Sequence, residues 1–394
     1  MSSHIKLTIA GTPSLHQGVH KAAVSLNSIE LVFSNDGKVI AHASLAANRT
    51  SLHSTLVMTQ EKIELFCKRL GVDEKQLDYD RSELSSFDKL KYKILFSKKM
   101  FFEAFIPVQW VIVYKDIRGS RNNSDNSKWH KIIPDSKVFQ ADPFIVFNKG
   151  KYYVFYEELK FEDYHGYLMV AELDLDNKKL INEKVILKLE HHLSFPNVFK
   201  EGETYYMIPE CGDSNRIDLY ECTNFPYLWE KKQTLIDGIE AVDTIPLKTE
   251  DGWYLFTTII TKGAGCNDEL SIYKSSDLFN QPFTKLYDEP VITDVTKARM
   301  AGHFIQREGD LFRVSQNCVK RYGYQVKVNK VLQIEGGYKE ELVETLEPDF
   351  DAMAFHTYNK DHDIIIGDME IARFDWYSLK RFIWGNMRKH FFKM

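Results

Sequence analysis

The sequence predicts a mainly β protein: a five-bladed β-propeller, with a small amino-terminal α/β (or α+β) domain before it and a short carboxyl-terminal helix after it. Three observations carry this. One phrase recurs along most of the chain, a polar or small residue opening a strand, a turn centred on Gly, then an aromatic strand. The turn glycines Gly150, Gly202, Gly252 and Gly309 stand 52, 50 and 57 residues apart, close to the length of a four-stranded propeller blade. Finally, 26 Phe and 20 Tyr among 394 residues fall mostly in short stretches rather than along helical faces, as expected of rings filling the wedges between blades.

Taken in order, residues 1–95 form the small domain. IELVF and KVIAHASLA read as short strands, and TQEKIELFCKRLG has the i, i+3, i+4 apolar spacing of a helix that stops at Gly71. QWVIVYK is a further strand, followed by a polar loop, RGSRNNSDNSKWH, at 118–130. The propeller is assigned to 100–372. Its copies are ADPFIVFNKGKYYVFYEE (141–158), SFPNVFKEGETYYMIPEC (194–211), AVDTIPLKTEDGWYLFTT (241–258), MAGHFIQREGDLFRVSQN (300–317) and a degenerate DAMAFHTYNKDHDIIIGD (351–368). NKG, KEG, EDG and REG place Gly where a tight hairpin needs positive φ. GYLMVAELDLD, IDLYECTNF, LSIYKSSDLF and YQVKVNKVLQI supply the outer hairpins. A sandwich or stacked barrels would also use many short strands, but the spacing favours the propeller.

Composition narrows the function. With 51 Lys and Arg against 56 Asp and Glu, the formal charge of −5 offers no bulk positive field for a nucleic-acid backbone, so no nucleic-acid partner is expected. The five cysteines are scattered without CxxC spacing, which fits a reduced compartment. The first residues lack the pattern of a secretion signal and no 18-residue apolar run occurs, so a cytoplasmic location is expected. GxGxxG, Walker, GxSxG and HExxH patterns are missing, so no cofactor and no metal are assigned.

In a propeller the innermost strands converge on the axis, and matched positions of the repeats ring one pocket. Those positions are Asp142, Ser194, Asp243, Ala301 with Gly302 and His303, and Asp351. Crowded carboxylates push their pKa values apart, which suits a general acid and base; each acid could equally cap a turn. Glu157, Glu158, Glu210, Gln316 and Asn317 end the second strands, and Glu210, where an apolar strand breaks into CGDSNR, is the candidate acid. His303, Arg216, Arg299 and Arg321 with Tyr322 are the groups that could meet an anionic substrate.

Together ADPFIVF, HHLSFPNVF, YMIPE, the Asp of EAVDTIP, RMAGHF and SQNCVKRYGYQV resemble the five-bladed propeller domain of plant glucosamine inositolphosphorylceramide transferases and of bacterial surface-polysaccharide proteins, over about residues 105–370. Arg299, Ala301 and Gly302 match that group's Arg-Pro-Ala-Gly stretch, with Met300 in place of Pro. Gln316, Arg321, Tyr322 and Gly323 match its Gln and Arg-Tyr-Gly positions, which the resemblance makes pocket-lining. ADPF is also similar to the first blade of family-43 glycoside hydrolases, where an Asp is the base of an inverting reaction and another Asp and a Glu are the tuning residue and the acid. Asp142 corresponds to the first; Asp243 and Glu210 stand in the reverse of the hydrolases' usual order.

The resulting expectation is a glycosyltransferase-like enzyme of surface-polysaccharide assembly, taking a sugar from a sugar-nucleotide donor to a glycan or lipid-linked acceptor. Asp142 would be the base and Asp243 would tune or orient. Glu210 would hold hydroxyls or act as acid, and Arg299, Arg321 and His303 would neutralise the departing phosphate. A non-catalytic glycan-binding module and a family-43-like inverting hydrolase are the alternatives. The tail 373–394 interleaves Lys380, Arg381, Arg388, Lys389 and Lys393 with Phe374, Trp376, Tyr377, Phe382, Trp384, Phe391 and Phe392. Through residues 374–394 it would either lie on an anionic membrane surface, at the inner face, or dock on the propeller with its charges outward.

Overall fold

In the computed structural model, residues 5–378 are described, apart from 26, 50, 105 and 119–127 and the side chains of 99–104 and 213. Most of the polar loop after QWVIVYK and the tail from 379 onward lie outside the described residues. The tail's first turn begins at Trp376, where the Asp375 carboxylate accepts from the Ser378 amide (2.8 Å).

Six four-stranded sheets are present among the described residues. One belongs to the amino-terminal unit, built from β1 (Ile5–Ile9), α1 (Leu15–Ser25), β2 (Ile29–Asn35), β3 (Lys38–Leu45), α2 (Leu52–Leu70), β4 (Leu77–Asp78) and α3 (Ser86–Ala104). Its sheet order is β3-β2-β1-β4, with β1 parallel to β4. Alternating Leu7, Ile9, Leu31 and Phe33 are fully buried against the helices. α2 starts at Ser51, whose hydroxyl accepts from the Ser54 amide, and stops at Gly71 in the left-handed region (φ 65°), the stop its sequence predicts. α3 is an element the strand and helix patterns above did not single out.

The other five sheets are propeller blades. The first holds β7 (Val138–Asn148), β8 (Lys151–Lys160), β9 (His165–Asp174) and β10 (Lys179–Leu187); the second β11 (Ser194–Glu201), β12 (Thr204–Glu210), β13 (Arg216–Asn224) and β14 (Leu228–Asp237). The third holds β15 (Ala241–Thr249), β16 (Gly252–Ile259), β17 (Leu270–Ser275) and β18 (Thr284–Lys285); the fourth β19 (Ile305–Arg307), β20 (Asp310–Asn317), β21 (Gln325–Gln333) and β22 (Lys339–Leu346). The fifth is composite: β23 (Ala352–Asp361) and β24 (Ile364–Ala372) are completed by β5 (Val108–Asp116) and β6 (His130–Ile132) from the front of the propeller. QWVIVYK therefore closes the ring, in register from Val108 opposite Ala372 to Asp116 opposite Ile364.

The hairpin turns take the predicted backbone. Lys149 and Gly150 have φ of 50° and 82°, and Glu308 and Gly309 54° and 86°, the two positive values a two-residue turn requires. The degenerate fifth turn uses His362 (φ 46°) in place of Gly. Aromatics do fill the wedges between blades: Phe144 meets Phe195 edge-on (5.0 Å), and Phe155 meets Trp229 (5.8 Å).

Candidate functional site

The innermost strands carry a matched irregularity. Strand pairing slips between Ala141 and Phe144, Ser194 and Asn197, Val242 and Ile245, and Phe355 and Tyr358. Each slip is a β-bulge, which bends the strand and re-aims a side chain. At its first position stand Asp142, Phe195 and Asp243, all with positive φ (52°, 46° and 49°), and, in the fifth blade, His356. The fifth member of the ring is thus His356. Asp351, expected there, lies at a turn paired with Lys131.

A cavity of about 250 Å³ opens at this level. Trp110, Phe139 and Tyr322 give it aromatic walls, and Asp142, Glu157 and Glu210 bring carboxyl groups to it; Ser194, His192, His356 and Arg299 complete the polar lining. Trp110 and Tyr322 both lie against the His356 ring (4.2 and 5.1 Å).

Each carboxyl group has a different environment. Asp142 Oδ1 lies 2.9 Å from His356 Nε2 and accepts from the Thr357 hydroxyl (2.9 Å), while Oδ2 accepts from the Phe195 amide (3.3 Å). His356 Nδ1 lies 2.8 Å from Asp368, whose other oxygen accepts from the Asp142 amide. Burial opposes ionisation of all three, yet the His356 charge holds Asp142 below the usual carboxylate range. The two acids in turn hold His356 well above an ordinary imidazole. Asp142, His356 and Asp368 are the one set among the described residues close enough to share a metal ion. Because one ring presents a nitrogen to each acid, the protonated imidazole itself supplies the balancing charge.

Glu210 is pushed well above its ordinary value, first by burial and then by the neighbouring Asp243. The backbone amide of Asp243 donates to Glu210 Oε2 (3.3 Å). Asp243 also accepts from Arg299 Nε (2.6 Å) and Gln316 Nε2 (2.9 Å). Glu157, buried in the first blade, is raised to about 7, chiefly by burial, with His192 Nε2 at 3.0 Å. The Gly166 amide donates to His192 Nδ1 (3.1 Å), so the ring proton sits on Nε2, facing Glu157.

Of the sequence-predicted residues, Asp142, Glu210, Arg299 and Tyr322 line the cavity. Asp243 and Gln316 lie behind it, holding Arg299 and the bulge. Three others are held away from the cavity lining. Arg216 stands beside Asp218 (3.7 Å), away from the cavity lining. Arg321 is engaged by Glu370. His303 packs on Phe144 (4.9 Å) with Nε2 2.7 Å from Asn197 Oδ1, and burial lowers its pKa to about 4, so it is neutral. Arg299 does reach the cavity, but its three nitrogens already have acceptors in Asp243, Glu210, Cys266 O and Asn267 Oδ1. The expected neutralisation of a departing phosphate by Arg299, Arg321 and His303 therefore finds no uncommitted charge on those three side chains.

Sequence reasoning passed over Trp110, His192, His356 and Asp368, and named Glu157 only as a strand end. Counting back from His362 the eight residues that separate Gly150 from Asp142 reaches Ala354, two short of His356, so the spacing comes near the bulge without singling out the histidine.

The chain is 30% identical over 206 residues to glucosamine inositolphosphorylceramide transferase 1 of Oryza sativa subsp. japonica, covering 51% of this chain and 27% of that protein. It is 29% identical over 199 residues to its namesake in Arabidopsis thaliana, covering 49% and 25%. The matched region is about a quarter of the length of these curated relatives. Among solved structures it is similar to Zg3597, a family 117 glycoside hydrolase of the marine bacterium Zobellia galactanivorans, at 13% identity and a TM-score of 0.44, over 68% of this chain and 92% of that one. With residues 130–362 matching its profile, the chain belongs to the family described as glucosamine inositolphosphorylceramide transferase 1, N-terminal.

Proposed function

We propose that the axial cavity takes a terminal sugar of a glycan and cleaves its glycosidic bond with inversion. The observation that carries this reading is the opposite displacement of two cavity carboxyls, Asp142 held ionised by His356 and Glu210 held protonated by burial and Asp243. Asp142 has three of its four lone-pair sites filled, which leaves one on Oδ2 for a water. That water attacks the anomeric carbon and gives its proton to Asp142, while Glu210 protonates the departing oxygen. Asp243 tunes Glu210, and Trp110, Phe139 and Tyr322 offer faces to the sugar ring. A glycosidic oxygen needs a proton to leave, and Glu210 has one; a diphosphate needs positive charge, and Arg299 is committed elsewhere.

Kinship with the plant transferases favours a second reading, transfer of a sugar from a nucleotide donor to a glycan or lipid-linked acceptor. Parallel panels of aryl glycosides and sugar nucleotides separate the two. For cleavage, Glu210→Gln lowers kcat about 10²–10⁴-fold on substrates with poor leaving groups and far less on dinitrophenyl glycosides. Turnover of sugar nucleotides alone, abolished by Asp142→Asn, would establish transfer instead. Sugar binding with no turnover in either panel would leave a glycan-binding module.

A further inference from the structure

α3 turns an apolar stripe to solvent. Phe87, Leu90, Ile94 and Leu95 are 76%, 57%, 57% and 41% exposed, whereas Phe96 on the opposite side is buried in the amino-terminal core and Tyr92 packs on His20 (5.5 Å). At 100° per residue, Phe87, Leu90 and Ile94 form one face, and Lys91 and Lys98 fall on the same side, with Lys93 at its edge. All three lysines are exposed. Among the helix's described side chains the one acid, Asp88, is engaged at the helix start, where its Oδ2 accepts from the Ser85 hydroxyl (2.6 Å).

We infer that this face of α3 is an interfacial contact for an anionic lipid surface. Large apolar side chains alone would fit several partners; the lysines decide. A lysine stem can lie along the apolar stripe while its ammonium rises to a phosphate or carboxylate at headgroup level. A helix with rings and branched chains on one face and lysines among them matches the depth profile of a membrane interface. No helix among the described residues is long and apolar enough to cross a membrane. The contact is distinct from the tail: α3 belongs to the folded amino-terminal unit and presents its face as part of that fold.

The full-length protein is sedimented with sucrose-loaded vesicles of phosphatidylcholine, with and without phosphatidylserine. Pelleting with the anionic vesicles, weakened by high salt, is the expected result. Lys91→Gln, Lys93→Gln and Lys98→Gln together weaken binding by about fivefold per lysine, and Leu90→Glu with Ile94→Glu abolishes it. Amide exchange in residues 86–98 of the unaltered protein slows on anionic vesicles, a readout that depends on no variant. Equal pelleting of wild type and variants, as a tail-driven contact would give, overturns the inference. So does no pelleting, unchanged exchange, or a concentration-dependent dimer that Leu90→Glu with Ile94→Glu dissolves.

Discussion

Glu157 changes charge near neutrality because burial in the first blade opposes ionisation, as does the nearby Asp142 carboxylate, and the contact with His192 only partly offsets this. Gly166 holds the pair in place: a Cβ there would stand 2.5 Å from His192 Cε1 and 2.6 Å from Glu157 Oε1. Gly166→Ala should therefore move any activity limb near pH 7 and, because its Cβ would also stand 2.8 Å from the Leu193 carbonyl oxygen, lower the melting transition with the chain still folded; an unmoved limb would remove Glu157 from the reaction. His303 gives a stability prediction. Its folded pKa of about 4 lies below the unfolded value of about 6.5, so the unfolded chain binds more protons between them. Stability is whole above about pH 6.5 and falls by up to about 3 kcal/mol as pH drops toward 4. His303→Gln should flatten that slope in urea titrations; a slope equal to wild type would mean the ring is protonated in the fold. What was legible here follows the repeat. Asp142 and Asp243 announced themselves as acids at matched repeat positions, whereas His356 did not, because its repeat lacks the turn Gly that sets the register.

At the scale of elements, the amino-terminal unit grips the segment that positions the acid. Lys62 of α2, 1% exposed, pairs with Asp268 (2.7 Å) and Glu269 (2.6 Å), and Arg69 pairs with Glu269 (2.7 Å). Two residues earlier, Cys266 and Asn267 hold Arg299, and through it Asp243 and Glu210. A cavity of about 260 Å³ between Met58, Ile260 and Gly263 lies beside the same segment. Lys62→Met should cost about 3 kcal/mol by stranding a buried carboxylate and lower kcat with the propeller still folded. Asp268→Asn in the same chain should restore part of both; additive losses in such a cycle would sever the link. The sequence showed α2 through its apolar period and its Gly71 stop. It hid α3, whose apolar side chains at 87, 90 and 94 face solvent, so their period describes no core.

For the whole molecule, the five-fold repeat was readable from the spacing of four glycines, but the owner of β5 was not. Its partner β24 begins about 250 residues later, and pairing at that distance leaves no local trace. Deleting residues 1–116 removes β5 and bares the edge of β24, along which Ile364, Ile366 and Met369 are fully buried in the intact ring. Such a chain should lose its cooperative melt and aggregate; a sharp transition at the wild-type temperature would show that four blades and a remnant suffice.

That closure also sets an order on biosynthesis. β5 leaves the ribosome before any of the first four blades, and its mate arrives last, so throughout translation a Val- and Ile-rich strand waits with unpaired amides and carbonyls. The amino-terminal unit, with its own sheet and core on contacts local to the first hundred residues, can be complete by then. On this account it is the anchor from which the waiting strand hangs until the ring comes round to meet it.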